Sequence, residues 1–72
     1  MDSKDFAKNV KRIAFERNLT LLDISELTGL HVNSIQNWLR FKAVPNLGAV
    51  YKMAEGLGVS VHDLLEGQHV KQ

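Results

Sequence analysis

An all-α fold, a compact bundle of five short helices, is what this chain predicts, and three observations carry that expectation. Apolar residues recur at spacings of three and four, and no stretch alternates with the period of two that a strand requires. Helix start and stop signals punctuate the chain at short intervals. The 72 residues include no cysteine, so neither a disulfide nor a thiolate metal site is available. A chain this short buries only about 60 % of the surface it exposes when unfolded, and close helix packing has to supply the stability. Residues 1–72 read as a single domain with a core over about 6–65 and a short C-terminal tail over 67–72.

The first helix is expected over about 4–17, capped by Asp2 or Ser3 and ended by Asn18; Phe6, Val10, Ile13 and Ala14 share its inner face. Thr20 caps the second helix, and Asp23 supplies the reciprocal carboxylate of a capping box. Leu19 is placed to staple onto Ile24, and Gly29 provides the left-handed exit. The third helix runs from about Val32 to Arg40, with Leu30 and Ile35 as its staple and His31 as a weak cap. Pro45 and Asn46 open a fourth, whose apolar residues are Leu47, Val50, Met53, Ala54 and Leu57 and whose stop is Gly58. Ser60, with Asp63 three residues later and Val59 facing Leu64, starts a fifth that ends near Gly67.

Charge is distributed unevenly although the formal net charge is only +1. From Leu27 to Ala54 there is no Asp or Glu, while Arg40, Lys42 and Lys52 fall inside that stretch. Lys4, Lys8, Lys11, Arg12 and Arg17 add to the first helix, whereas Glu55, Asp63 and Glu66 lie toward the other end. Within the acid-free stretch, "NSIQNWLR" at 33–40 places Asn33, Gln36, Asn37 and Arg40 on one helix face. Amides are a costly choice for a face that needs only to stay wet, since Asn disfavours helix by roughly 0.5 kcal/mol relative to the best formers. Two readings are open: the amides are simply solvent-facing, or they hydrogen-bond a partner.

Several function classes are excluded by the same residues. The apolar stretches fall short of the ~18 residues that cross a bilayer, and "MDSKDFAKN" has no secretion-signal core; a soluble, cytoplasmic protein without membrane association is expected. The carboxylates Asp23 with Glu26 and Asp63 with Glu66 each sit in a first helical turn, where helix-dipole and capping roles account for them. His31, His62 and His69 lack the spacing of a helical zinc site. No phosphate-binding glycine loop or activated nucleophile is visible, so the chain is expected to be no enzyme and to need no metal or cofactor.

Two helices joined at Gly29 form a helix-turn-helix pattern. "LTLLDISELTGLHVNSIQNW" followed by "PNLGAVYKMAEGLGVSVHDLL" resembles the Cro and phage-repressor family of DNA-binding domains, the lambda-repressor-like fold. The "AEGLGVS" passage at 54–60 and the Pro before helix four fit that pattern, and the resemblance covers about residues 6–65. By contrast, the faint likeness of "IQNWLRFK" to a homeodomain recognition helix fails, because that helix closes its domain and two further helix patterns follow here.

The family implies a transcriptional regulator, a repressor by type, that binds double-stranded DNA as a homodimer. Its third helix docks in the major groove, which assigns base reading to Val32, Asn33, Gln36 and Asn37. Side-chain amides match the donor and acceptor of adenine; Val32 suits either a thymine methyl or the packing of its own first turn. Phosphate contacts fall to Thr20, Arg40, Lys42 and Asn46. Phe41, Val44 and Val61 are the dimer candidates, with burial inside one chain as their other use. Trp38 neighbours the inner stripe and is expected in the core, its N–H requiring a partner if covered.

Three departures from the family stand out. Its Arg late in helix one and Glu late in helix three fall on Ala14 and Leu39, so both ends of an ion pair are replaced together. That avoids a stranded buried charge, worth roughly 3–5 kcal/mol, and puts Leu39 in the core. Phe41 stands where a Gly often lets the chain leave helix three, which implies a longer helix or another path over 41–44. Leu21 replaces a Gln that holds a phosphate. The alternative function is a helix-turn-helix module turned to protein binding, such as an antirepressor or antitoxin component, with a regulatory protein as partner.

Overall fold

Five helices follow one another in a computed structural model that describes residues 3–66: α1 (Ser3–Arg17), α2 (Leu21–Thr28), α3 (Val32–Leu39), α4 (Leu47–Leu57) and α5 (Val61–Leu65). The tail over 67–72, with Gly67 and His69, and the candidate cap Asp2 lie outside the described residues. Ser3 is the first residue of α1 and not its cap. No strand occurs among the described residues.

The caps are built as the local sequence dictates. Thr20 Oγ1 accepts from the Asp23 N–H at 3.1 Å while Asp23 Oδ2 accepts from the Thr20 N–H at 2.9 Å, and Ser60 and Asp63 repeat the arrangement at 3.0 and 3.1 Å. Asn46 Oδ1 accepts from the Ala49 N–H at 2.8 Å. His31 makes no side-chain cap bond. Gly29 and Gly58 take left-handed conformations, φ 77° and 71°, which Gly adopts without the usual steric penalty.

Packing runs α1 against α3 and α5, α2 against α3 and α4, and α4 against α5. The core consists of Phe6, Val10 and Ile13 from α1, Ile24 from α2, Ile35 and Trp38 from α3, Val50, Met53 and Leu57 from α4, and Leu64 from α5. Phe6 and Trp38 meet edge to face, centroids 6.1 Å apart at 80°, a geometry worth about 0.5–1.5 kcal/mol beyond the area buried. Trp38 is therefore a core residue, as its place on the helix predicts. Among the described residues the buried side-chain nitrogen left without a partner is Arg12 Nε, so the Trp38 N–H is not sealed from water.

Long-range polar contacts tie the ends together. Asn9 is buried, and its Nδ2 donates to the carbonyls of Leu64 and Glu66, both at 2.8 Å. Those carbonyls close α5, where a helix has no acceptors satisfied by its own backbone. Arg17 donates to the Leu57 carbonyl at the end of α4, a favourable place for a cation.

Three expectations need correction. Phe41 neither lengthens the third helix nor diverts the chain: it adopts the left-handed conformation itself, φ 62°. The Lys42 N–H bonds the Asn37 carbonyl at 2.8 Å and the Phe41 N–H bonds that of Trp38 at 3.1 Å, the paired closure that a Gly normally makes. Leu47 does not join the buried face of α4 and is 59 % exposed, because it begins the helix at the rim of the bundle. Leu39 is half-buried against the core's margin together with Ala14, and so does not lie within it.

Candidate nucleic-acid interface

Side chains of α2 hold the turn that orients α3. Thr28 Oγ1 donates to the Ile24 carbonyl at 2.7 Å and accepts from the Leu30 N–H at 3.2 Å. Ser25 Oγ donates to the Leu30 carbonyl. From the other side α4 comes so close that a Cβ on Gly56 would lie 2.6 Å from the Leu27 carbonyl oxygen and 2.7 Å from Thr28. Hydrogen bonds and close backbone contact therefore fix α3 relative to its neighbours. Ser25, Thr28 and Gly56 are parts of the mount that sequence reasoning did not single out. Only the small-residue character of these positions signals the tight approach.

The opposite faces of α3 differ sharply. Ile35 is fully buried and Trp38 nearly so, whereas Asn33 and Asn37 are exposed and Val32 and Gln36 half-exposed. Among the described residues the side chains of Asn33, Gln36 and Asn37 have no hydrogen-bond partner within the chain. The four residues expected to read bases thus lie together on one outward ridge.

The residues expected to hold phosphates flank that ridge. Arg40, at the end of α3, and Lys42, just beyond the left-handed Phe41, are exposed and, among the described residues, without an ion pair. Thr20 and Asn46 cap α2 and α4 through their side-chain oxygens, so the Thr20 hydroxyl proton and the Asn46 amide group remain as donors. An open cleft of ≈ 340 Å³ separates α3 from the start of α4. Lys52 forms one of its walls, a cation that the reading of the sequence left among the general basic residues.

The three dimer candidates are not brought into one patch of equal character. Phe41 is 49 % and Val44 64 % exposed, but Val61 is half-buried against the core. Leu47 and Tyr51, one turn apart on α4, are also more than half exposed. Among the described residues no group of three or more His, Cys, Asp or Glu is placed to hold a metal ion, and no helix is long and apolar enough to cross a membrane.

Comparison with known families adds one match: residues 10–64 fit the model described as helix-turn-helix. The matched span runs from within α1 to the end of the core on α5. No curated protein and no solved structure matches the chain.

Proposed function

This chain belongs to the Cro and repressor family of helix-turn-helix DNA-binding domains, and we propose that within it the protein is a sequence-specific repressor reading the major groove with α3. The observation that carries this reading is the outward ridge of exposed Asn33 and Asn37 with half-exposed Gln36, without side-chain partners among the described residues, and carried on a helix whose other face is core. Amide side chains at the start of a recognition helix pair with the N6 and N7 of adenine, each good pair contributing roughly 1–3 kcal/mol of discrimination.

Arg40, Lys42, Thr20 and Asn46 then hold the backbone on either side, setting register without carrying sequence information. Val32 adds contact to a thymine methyl at the ridge's end. The protein works in the cytoplasm as one domain with its core over 6–65, and binds a near-palindrome as a homodimer whose recognition helices stand about 34 Å apart. Phe41 and Val44 belong to the pairing surface, joined by Leu47 and Tyr51. Val61 contributes less, since most of its surface already serves the core.

Selection of bound sequences from a random duplex pool tests the reading. A defined, two-fold symmetric consensus is expected. Recovery of no consensus, together with absence of salt-sensitive binding to any duplex, would leave the second reading: a protein-binding module of antirepressor or antitoxin type. That alternative draws on Leu22, 59 % exposed in the first turn of α2, and on Leu21 beside it, where a DNA contact would call for a polar side chain.

A further inference from the structure

The cleft between α3 and α4 has a composition that fits one ligand class. Its apolar side is made by Leu30, Trp38 and Ala49, and its polar side by Ser34, Asn46 and Lys52. No carboxylate is among its lining residues, and Lys52 is exposed. The Asn46 oxygen is committed to the Ala49 N–H, which turns the amide nitrogen into the available group. Ser34 and Lys52 bring a hydroxyl and an ammonium. The polar side therefore offers donors facing an anion, while the indole and its aliphatic neighbours offer a surface to a compact apolar body.

We infer that this cleft seats one sugar–phosphate unit of the DNA backbone, with Lys52 as the phosphate-binding cation and the deoxyribose lying against Trp38 and Leu30. The inference rests on the DNA-binding reading and adds to it a residue on the middle of α4, beyond the reading helix and its two flanks. Lys52 fixes position and not sequence, because a phosphate is the same at every base pair. Charge complementarity selects this occupant: the cleft's lining residues hold a cation and no carboxylate, and all of them fall in the acid-free stretch from Leu27 to Ala54.

Titration with random-sequence duplex at several salt concentrations provides the test, with two readouts. The plot of log affinity against log salt loses about 0.9 from its slope for each phosphate contact removed. Lys52→Gln is expected to show that loss, Lys52→Arg to restore the slope, and both to melt with the parent protein, since Lys52 is exposed. Trp38, the single tryptophan, reports on the cleft directly, and its emission is expected to change when duplex binds. An unaltered slope in Lys52→Gln, or saturating duplex that leaves Trp38 emission untouched, overturns the cleft assignment while the DNA-binding reading stands. Failure of the parent protein to bind duplex at low salt overturns both.

Discussion

The Lys11 ammonium lies 5.1 Å from the centroid of the Phe41 ring, joining α1 to the residue through which the chain leaves α3. Phe41 holds a left-handed conformation that disfavours a residue with a side chain by roughly 1–2 kcal/mol. An exposed cation–π contact returns about 0.5–1 kcal/mol, so the contact offsets only part of the strain. Phe41→Gly is accordingly expected to leave stability unchanged or raise it by up to about 1 kcal/mol. Lys11→Gln should cost about 0.5 kcal/mol in the parent protein and nothing in the Phe41→Gly background. Chemical denaturation of the four proteins checks this, and equal costs in both backgrounds would show that the pair is not coupled.

Asn9 is a buried polar side chain that bonds across the fold. Its amide serves the Leu64 and Glu66 carbonyls together, the first bond buried and the second part-buried, and Asn9→Ala leaves both without that donor. A loss of about 2 kcal/mol is expected from the unsatisfied acceptors, and Asn9→Asp should cost more, because a carboxylate adds repulsion where a donor was needed. Urea unfolding measures both. A change below about 0.5 kcal/mol in Asn9→Ala would mean that water replaces the amide.

Gly56→Ala tests the contact between α2 and α4. The added Cβ meets backbone, the Leu27 carbonyl oxygen at 2.6 Å, and backbone cannot swing aside as a side chain can. Overpacking of this kind costs about 1–3 kcal/mol. Because α2 and α3 share the turn at Gly29, the shift should also weaken DNA binding in whatever protein remains folded. A thermal melt equal to that of the parent would contradict the close approach.

The parts of this fold that were legible in the sequence are those whose physics is local. Thr20 with Asp23, Ser60 with Asp63, Asn46, Gly29 and Gly58 each act within four residues of themselves, and their chemistry marks where helices begin and end. The outward placement of Asn33, Gln36 and Asn37 was equally legible, because helical period alone separates them from Ile35. Asn9, Arg17 and Gly56 were not, since their partners lie 55, 40 and about 28 residues away along the chain and nothing nearby in sequence announces them. Phe41 was misread for a related reason. Its side chain argues against a left-handed conformation, but the hydrogen bonds of Lys42 to Asn37 and of Phe41 to Trp38 act together with the Lys11 contact to hold it there.

The proposed reading ridge makes opposite demands on stability and function, and that opposition yields the sharpest test. Among the described residues the side chains of Asn33, Gln36 and Asn37 have no partner, so replacing all three with alanine removes no bond seen in the fold. Alanine is the better helix former, by roughly 0.5 kcal/mol at each Asn and less at Gln, and the triple variant is expected to be about 1 kcal/mol more stable than the parent. Its preference for the selected DNA sequence over random duplex should fall by roughly 1–3 kcal/mol for each base pair that was read. Affinity for random duplex should stay nearly constant, because Arg40, Lys42 and the other proposed phosphate contacts are untouched. Competition binding with the two DNAs, alongside urea denaturation, separates the terms. A variant that gains stability and keeps its full sequence preference would show that the ridge is only a hydrated surface. One that loses stability would show that these amides hold the helix and were never free to read DNA.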